Sequence, residues 1–157
     1  EARSRPGHTA FSVLIPEHTG AFEVLDEKTG DTPHGSGHLL FVEDDDDQYN
    51  TVPRVLESIG YTVTATQDPG LALSLVDDSP DPFDLVITDF DMPVMDGITL
   101  ARKLGEKIPE VPVIVVTGRK TALEKAGPLD NVSRVVLKPY DRKAIALAIQ
   151  EVLTSDD

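Results

Sequence analysis

The chain has 157 residues, 39% of them hydrophobic and 27% charged, with no cysteine and a formal net charge of -14. That length suits one domain with a sizeable core plus a short attachment, in a composition ordinary for globular proteins. The charge argues against a surface for phosphate backbones, which select lysine and arginine clusters, the missing cysteine excludes disulfides and thiolate metal sites, and no apolar run approaches the roughly 20 residues that cross a bilayer.

The opening residues lack a secretion-signal pattern. A cytoplasmic location without direct nucleic-acid or membrane contact is therefore expected, and Glu1 in first position fits a piece of a longer protein. Residues 1–37 are polar and punctuated by Pro6, Gly7, Gly20, Gly30, Pro33, Gly35 and Gly37, the texture of turns and linkers. Thr9 to Ile15 is the only strand-like run there. Residues 1–16 are expected to be the remnant of a preceding domain or else a plain leader, and residues 17–37 a mobile linker. From His38 to Asp157 strand and helix signals alternate regularly, which predicts βαβ units and a parallel sheet.

Leu39 to Val42 forms the first predicted strand and leads into five consecutive acids. Counted from that apolar run, Glu43 and Asp44 lie at the strand end, whereas Asp46 and Asp47 are placed to cap a helix. Val52, Val55, Leu56 and Ile59 recur at helical spacing before Gly60, and Pro53 should kink this helix or delay its start. Thr62 to Thr66 is a β-branched second strand. Asp68 and Pro69 provide a cap and first position for a helix carrying Leu71, Leu75 and Val76. A polar loop, Ser79 to Pro82, precedes Leu85 to Thr88, a short run of the kind buried on both faces of a parallel sheet.

That run ends in Asp89, and Pro93 and Gly97 keep the next segment in a loop. Ile98, Ala101, Leu104 and Ile108 supply the core face of a third helix. Val113 to Val116 leads into Thr117, a short helix from Thr121 to Ala126 should stop at Gly127 and Pro128, and Val135 to Leu137 leads into Lys138 and Pro139. Asp141 can cap a last helix with Ile145, Ala148, Ile149 and Val152 on one face.

A carboxylate ending a central strand sits where the crevice of an open α/β sheet opens. Taken singly, Asp89 could be a solvated loop residue, Thr117 a strand former and Lys138 a surface lysine. On parallel neighbours, the carboxylates of Glu43, Asp44 and Asp89, a hydroxyl and an amine converge on one edge. Carboxylates held together repel unless a cation intervenes, and a hard divalent ion with oxygen ligands suits them.

In this order and spacing the motifs resemble the receiver domain of two-component response regulators. The resemblance rests on the acidic pair Glu43-Asp44, on Asp89 within Asp89-Phe90-Asp91-Met92-Pro93-Val94-Met95-Asp96-Gly97, on Thr117 and on Lys138-Pro139, and it covers residues 38–153. It implies a flavodoxin-like three-layer α/β sandwich whose five-stranded parallel sheet has the order 2-1-3-4-5 with five helices. It further implies that Asp89 accepts a phosphoryl group from phosphohistidine on a histidine kinase or phosphotransfer domain. Mg²⁺ or Mn²⁺ would be held by Asp44, Asp89 and the backbone carbonyl of Asp91, with Glu43 acting through water. Lys138 would pair with Asp89 at rest and bind a phosphoryl oxygen, Thr117 would donate its hydroxyl, and Lys138-Pro139 would be a cis peptide.

Val135 stands where the family usually places an aromatic switch residue, and Tyr140 is not positioned to replace it. Gly7 to Pro16 resembles the last strand of a histidine-kinase ATP-binding domain, which points to the C-terminal receiver of a hybrid sensor histidine kinase; none of the kinase's catalytic motifs is present. A free-standing response regulator and a phosphorylation-independent pseudo-receiver are the alternatives with the same fold. Asp89-Phe90-Asp91 also matches the core motif of haloacid-dehalogenase-type phosphatases, although those carry it on their first strand and here two strands precede it.

Overall fold

The structure, a computed structural model, describes residues 2–5, 8–11, 32–78, 82–127 and 129–154. The chain divides into two compact units, Glu1–Gly30 and Asp31–Asp157. The first holds an antiparallel hairpin of β1 (Ala2–Arg5) and β2 (His8–Phe11), with Ala2 opposite Phe11 and Arg5 opposite His8. Within the run expected from Thr9 to Ile15, the described residues Thr9, Ala10 and Phe11 are strand, and they have a partner the sequence did not announce, because Ala2–Arg5 lacks the apolar alternation of a half-buried strand. Residues 12–15 and the expected linker up to residue 31 lie outside the described residues.

The second unit runs β3 (His38–Val42), α1 (Asp46–Glu57), β4 (Thr62–Thr66), α2 (Pro69–Asp78), β5 (Leu85–Asp89), α3 (Gly97–Lys107), β6 (Val113–Thr117), α4 (Thr121–Ala126), β7 (Val132–Leu137) and α5 (Arg142–Thr154). All pairings among its five strands are parallel, in the order β4-β3-β5-β6-β7. Counted within this unit that is 2-1-3-4-5, the flavodoxin-like arrangement that right-handed crossovers produce. Every residue of β5 and β6 is buried, as expected for central strands covered on both faces.

Side-chain alternation divides the core in two. Leu39, Phe41, Leu85 and Ile87 face a cluster completed by Leu56 of α1 and Ile145, Ala148 and Ile149 of α5. Leu40, Val42 and Val86 face the other, with Ala72 of α2, Leu100 and Leu104 of α3, and Ala122 of α4. None of the described helices is long and apolar enough to cross a membrane.

Element ends follow local hydrogen bonding, with four departures from expectation. The cap of α1 is Asp45, whose carboxylate accepts from the Gln48 amide at 2.9 Å; Asp46 and Asp47 fall in the first turn, where carboxylates oppose the helix dipole favourably. With its N-terminus fixed in this way, α1 starts at Asp46 and runs through Pro53 without delay. Gly97 opens α3 instead of prolonging the loop, because Asp96 caps the Thr99 amide at 2.7 Å. Strand β7 begins at Val132, earlier than the apolar run, its exposed Ser133 and Arg134 being admissible on an edge strand. Asp68 and Asp141 bond the Gly70 and Ala144 amides, both at 2.7 Å, at the starts of α2 and α5.

Residues 32–37, read from sequence as the end of the linker, belong to this unit. The Gly35 amide donates to the Ile59 carbonyl and the Thr62 amide to the Gly37 carbonyl, both at 2.9 Å. The Asp84 carboxylate accepts from the His38 amide at 2.7 Å. Gly60 makes the dock possible: its φ is +105°, and a Cβ there would lie 2.3 Å from the Gly35 carbonyl oxygen. Gly60→Ala is expected to destabilise the unit by about 1–3 kcal/mol, the usual magnitude for a residue forced into such a conformation, seen as a lower urea midpoint with an unchanged slope.

Candidate functional site

Strand register gathers the polar groups. Val42 pairs with Thr88, Asp89 with Val116 and Thr117 with Leu137, so the residues that follow β3 and β7 and those that end β5 and β6 share one edge. Glu43 and Asp89 are 2% and 6% exposed. Between them lies Lys138, its Nζ 2.6 Å from Asp89 Oδ1 and 3.0 Å from Glu43 Oε2. Carboxylate oxygens of Glu43, Asp44 and Asp89 lie within 4.8 Å of one another. Three carboxylates against one ammonium leave a formal charge of -2, and an all-oxygen donor set of this kind fits a hard divalent cation.

Burial raises the Glu43 carboxyl above its ordinary range; the Lys138 hydrogen bond opposes the rise and the Asp89 charge adds to it. For Lys138, burial alone would lower the pKa, but hydrogen bonds to Asp89 and Glu43 and their charges outweigh it and raise the value. Removing the Lys138 charge therefore changes the ionisation of Glu43, and removing the Glu43 charge that of Lys138.

The main chain around Asp89 is fixed at several points. Its Oδ2 accepts from the Asp91 amide at 2.6 Å, the Phe90 amide donates to the Val116 carbonyl at 2.8 Å, and the Gly97 amide donates to the Phe90 carbonyl at 3.1 Å. A Cβ on Gly97 would stand 2.2 Å from the Asp89 carbonyl oxygen, so only glycine lets α3 start this close. Between them the loop exposes Pro93 and Val94, the latter at φ 70°. Thr117, fully buried, accepts from the Arg119 amide at 2.9 Å through Oγ1. Arg119 Nε lies 3.1 Å from Asp91 Oδ1, which closes one side of the site with an exposed ion pair.

The Lys138-Pro139 peptide is cis. Beside it a cavity of about 580 Å³ lies between Asp47, Gln48, Thr51 and Val52 of α1 and the segment Lys138–Tyr140. Tyr140 is half-buried against the first core cluster, and burial raises its pKa. Val135 packs against the second cluster.

The structure thus brings Glu43, Asp44, Asp89 and Lys138 together, with Thr117 and Asp91 at the rim. The direct bond between Glu43 and Lys138 lies outside the sequence reading, which pairs Lys138 with Asp89 alone and gives Glu43 a role toward the ion. A signal for it was present: alternation gives Glu43 the parity of Leu39 and Phe41, Asp89 that of Leu85 and Ile87, and Lys138 that of Val136, and all those apolar residues face the α1 and α5 cluster.

A family model described as the response regulator receiver domain matches residues 39–150. The response regulator receiver protein CpdR of Brucella abortus is 32% identical over 116 residues, which span 73% of this chain and 95% of that protein. The sensor kinase CckA of the same organism is 34% identical over 160 residues, 95% of this chain but only 17% of the kinase. Among solved structures, the signal receiver domain of an HD domain-containing protein from Pseudomonas fluorescens superposes with a TM-score of 0.70 at 26% identity, covering 77% of this chain and 97% of that one.

Glu43 makes a testable contribution to pH dependence. Its folded pKa is raised, so the folded state holds the proton longer than the unfolded one, and stability falls as pH rises from about 4.5 through the folded value. Glu43→Gln removes one of the excess charges while Lys138 keeps Asp89 as partner. The variant should be more stable than the native chain at pH 7, by roughly 0.5–2 kcal/mol, and the difference should shrink as pH falls towards 4.5 in a series of urea titrations.

Proposed function

Given that this chain belongs to the response regulator receiver domain family of two-component systems, we propose that Asp89 takes a phosphoryl group from a protein phosphohistidine. The observation that carries the proposal is the position of Lys138, 2.6 Å from Asp89 and 3.0 Å from Glu43 on the edge where Thr117 also ends its strand. An Asp89 oxygen forms the new bond to phosphorus as the bond from phosphorus to the donor imidazole nitrogen breaks. The products are an aspartyl phosphate and a free histidine.

Lys138 holds a phosphoryl oxygen, and Thr117, whose hydroxyl donates to the Arg119 carbonyl at 3.4 Å, redirects that hydroxyl to the same group. Asp44, Asp89 and the Asp91 carbonyl would hold Mg²⁺ or Mn²⁺, with Glu43 acting through water. When bound, such an ion neutralises the carboxylates and the incoming oxygens. The largely apolar groove beside Lys138 gives a donor protein room to approach. A cytoplasmic setting suits this chemistry.

For the parent protein, the likeness to the sensor kinase supports a receiver carried by a hybrid histidine kinase, because it takes in 95% of the chain while the family model begins at residue 39. The near-complete coverage of the receiver protein CpdR favours the second reading, a free-standing regulator. A phosphatase of the haloacid-dehalogenase type would need Asp91 as a general acid, and its side chain is engaged by Arg119. A pseudo-receiver would have no use for the assembled lysine and acids.

Acetyl phosphate with Mg²⁺ should add one phosphoryl group per chain, read by intact mass, and Asp89→Asn should abolish the addition. Continued labelling of that variant would overturn the assignment. Steady turnover of a small phosphomonoester, lost on Asp91→Asn, would establish the phosphatase instead.

A further inference from the structure

We propose that Phe90 and Lys125 form a clamp that positions Asp89, an inference that rests on Asp89 being the phosphoacceptor. Asp89 is the last residue of β5, and the loop beyond it turns outward, with Asp91, Pro93 and Val94 exposed. A strand end of this kind frays unless the next residue is held. Phe90 is 5% exposed and, by alternation, points away from the Asp89 carboxylate into the second core cluster, which includes Ala122 and Ala126 of α4. Both its main-chain polar groups are engaged, the amide by Val116 and the carbonyl by Gly97.

The ring face is completed by Lys125, an exposed residue of α4 whose Nζ lies 5.3 Å from the ring centroid. An ammonium within about 6 Å of a ring is attracted to its electron-rich face. Such a contact holds the ring in one orientation, which an apolar cover of the same length would not do. Helix α4 has six residues, too few to be stable alone, so its docking and the setting of Phe90 support each other. A ring free to shift in its pocket would carry the Phe90 Cα with it, loosen the amide bond to Val116 and so relax the strand end that aims the Asp89 carboxylate at Lys138, 2.6 Å away. Phe90 and Lys125 are positioning residues that act through the backbone of Asp89.

The test uses the full chain and the variants Lys125→Met, Lys125→Arg, Phe90→Leu and Phe90→Leu combined with Lys125→Met. Three quantities are measured: phosphoryl uptake from acetyl phosphate with Mg²⁺, hydrogen exchange of the Phe90 amide, and the urea midpoint. Lys125→Met should slow uptake and speed Phe90 exchange by about two- to five-fold, the range a single exposed contact of this type supports. The midpoint should hardly move, and Lys125→Arg should restore both rates. The double variant should be no worse than Phe90→Leu alone, as expected for two partners in one interaction.

Unchanged uptake and exchange in Lys125→Met, additive effects in the double variant, or a loss of uptake that merely follows the urea midpoint would each overturn the clamp. If the native chain takes up no phosphoryl group, the phosphoacceptor reading fails, and the exchange comparison still decides whether Lys125 holds Phe90.

Discussion

A single ammonium placed between two buried carboxylates is the interaction on which the arrangement turns. Isolated carboxylates are expensive to bury, and Glu43 and Asp89 are tolerable inside only because Lys138 reaches both. That reach has a geometric condition: three strand ends must present their side chains to the same face. A slip of one residue in any pairing would send its polar terminus to the opposite layer, so the register of β3, β5, β6 and β7 specifies the site as well as the core. The edge of the sheet is a place for chemistry because the middle is packed in register.

The balance at that edge is deliberately incomplete in electrostatic terms. Lys138 offsets one of three negative charges; burial, with the Asp89 charge adding to it, raises the Glu43 carboxyl, and the acidic cluster is one that could hold a metal ion. A sequence selected for stability alone would replace Glu43 with a neutral residue. Glu43 makes physical sense in a cluster that could hold a metal ion, since the same excess that weakens the resting fold would strengthen such a hold. The acidic first turn of α1 extends this field to the mouth of the groove.

Much of this was legible beforehand for a reason that can be located in particular residues. Where burial is complete, as in Leu85 to Asp89 and Val113 to Thr117, composition and length mark the strand directly. Asp68-Pro69, Asp141 and the Gly127-Pro128 break carry their helix boundaries in local chemistry. What escaped was set by choices among equivalent local groups. Any of Asp45, Asp46 and Asp47 can cap a helix, and only the path of the chain leaving β3 selects Asp45. Ala2–Arg5 pairs through main-chain bonds without an apolar pattern, and residues 32–37 dock through glycine backbone contacts that leave no hydrophobic signature. The bond from Lys138 to Glu43 follows from the parity of two strands distant in sequence, which becomes decisive once their neighbours are known.

The absence of a side chain at Gly97 has a consequence for how this surface can change over time. With α3 abutting the Asp89 carbonyl and its first amide closing back on Phe90, residues 91–96 form an arch whose two footings are welded to the sheet and the helix. Its crown, Pro93 and Val94, bears none of the load that aims the carboxylate. Mutation can therefore rewrite the crown, and with it whatever the crown touches, while the reactive geometry beneath stays insulated from the edit.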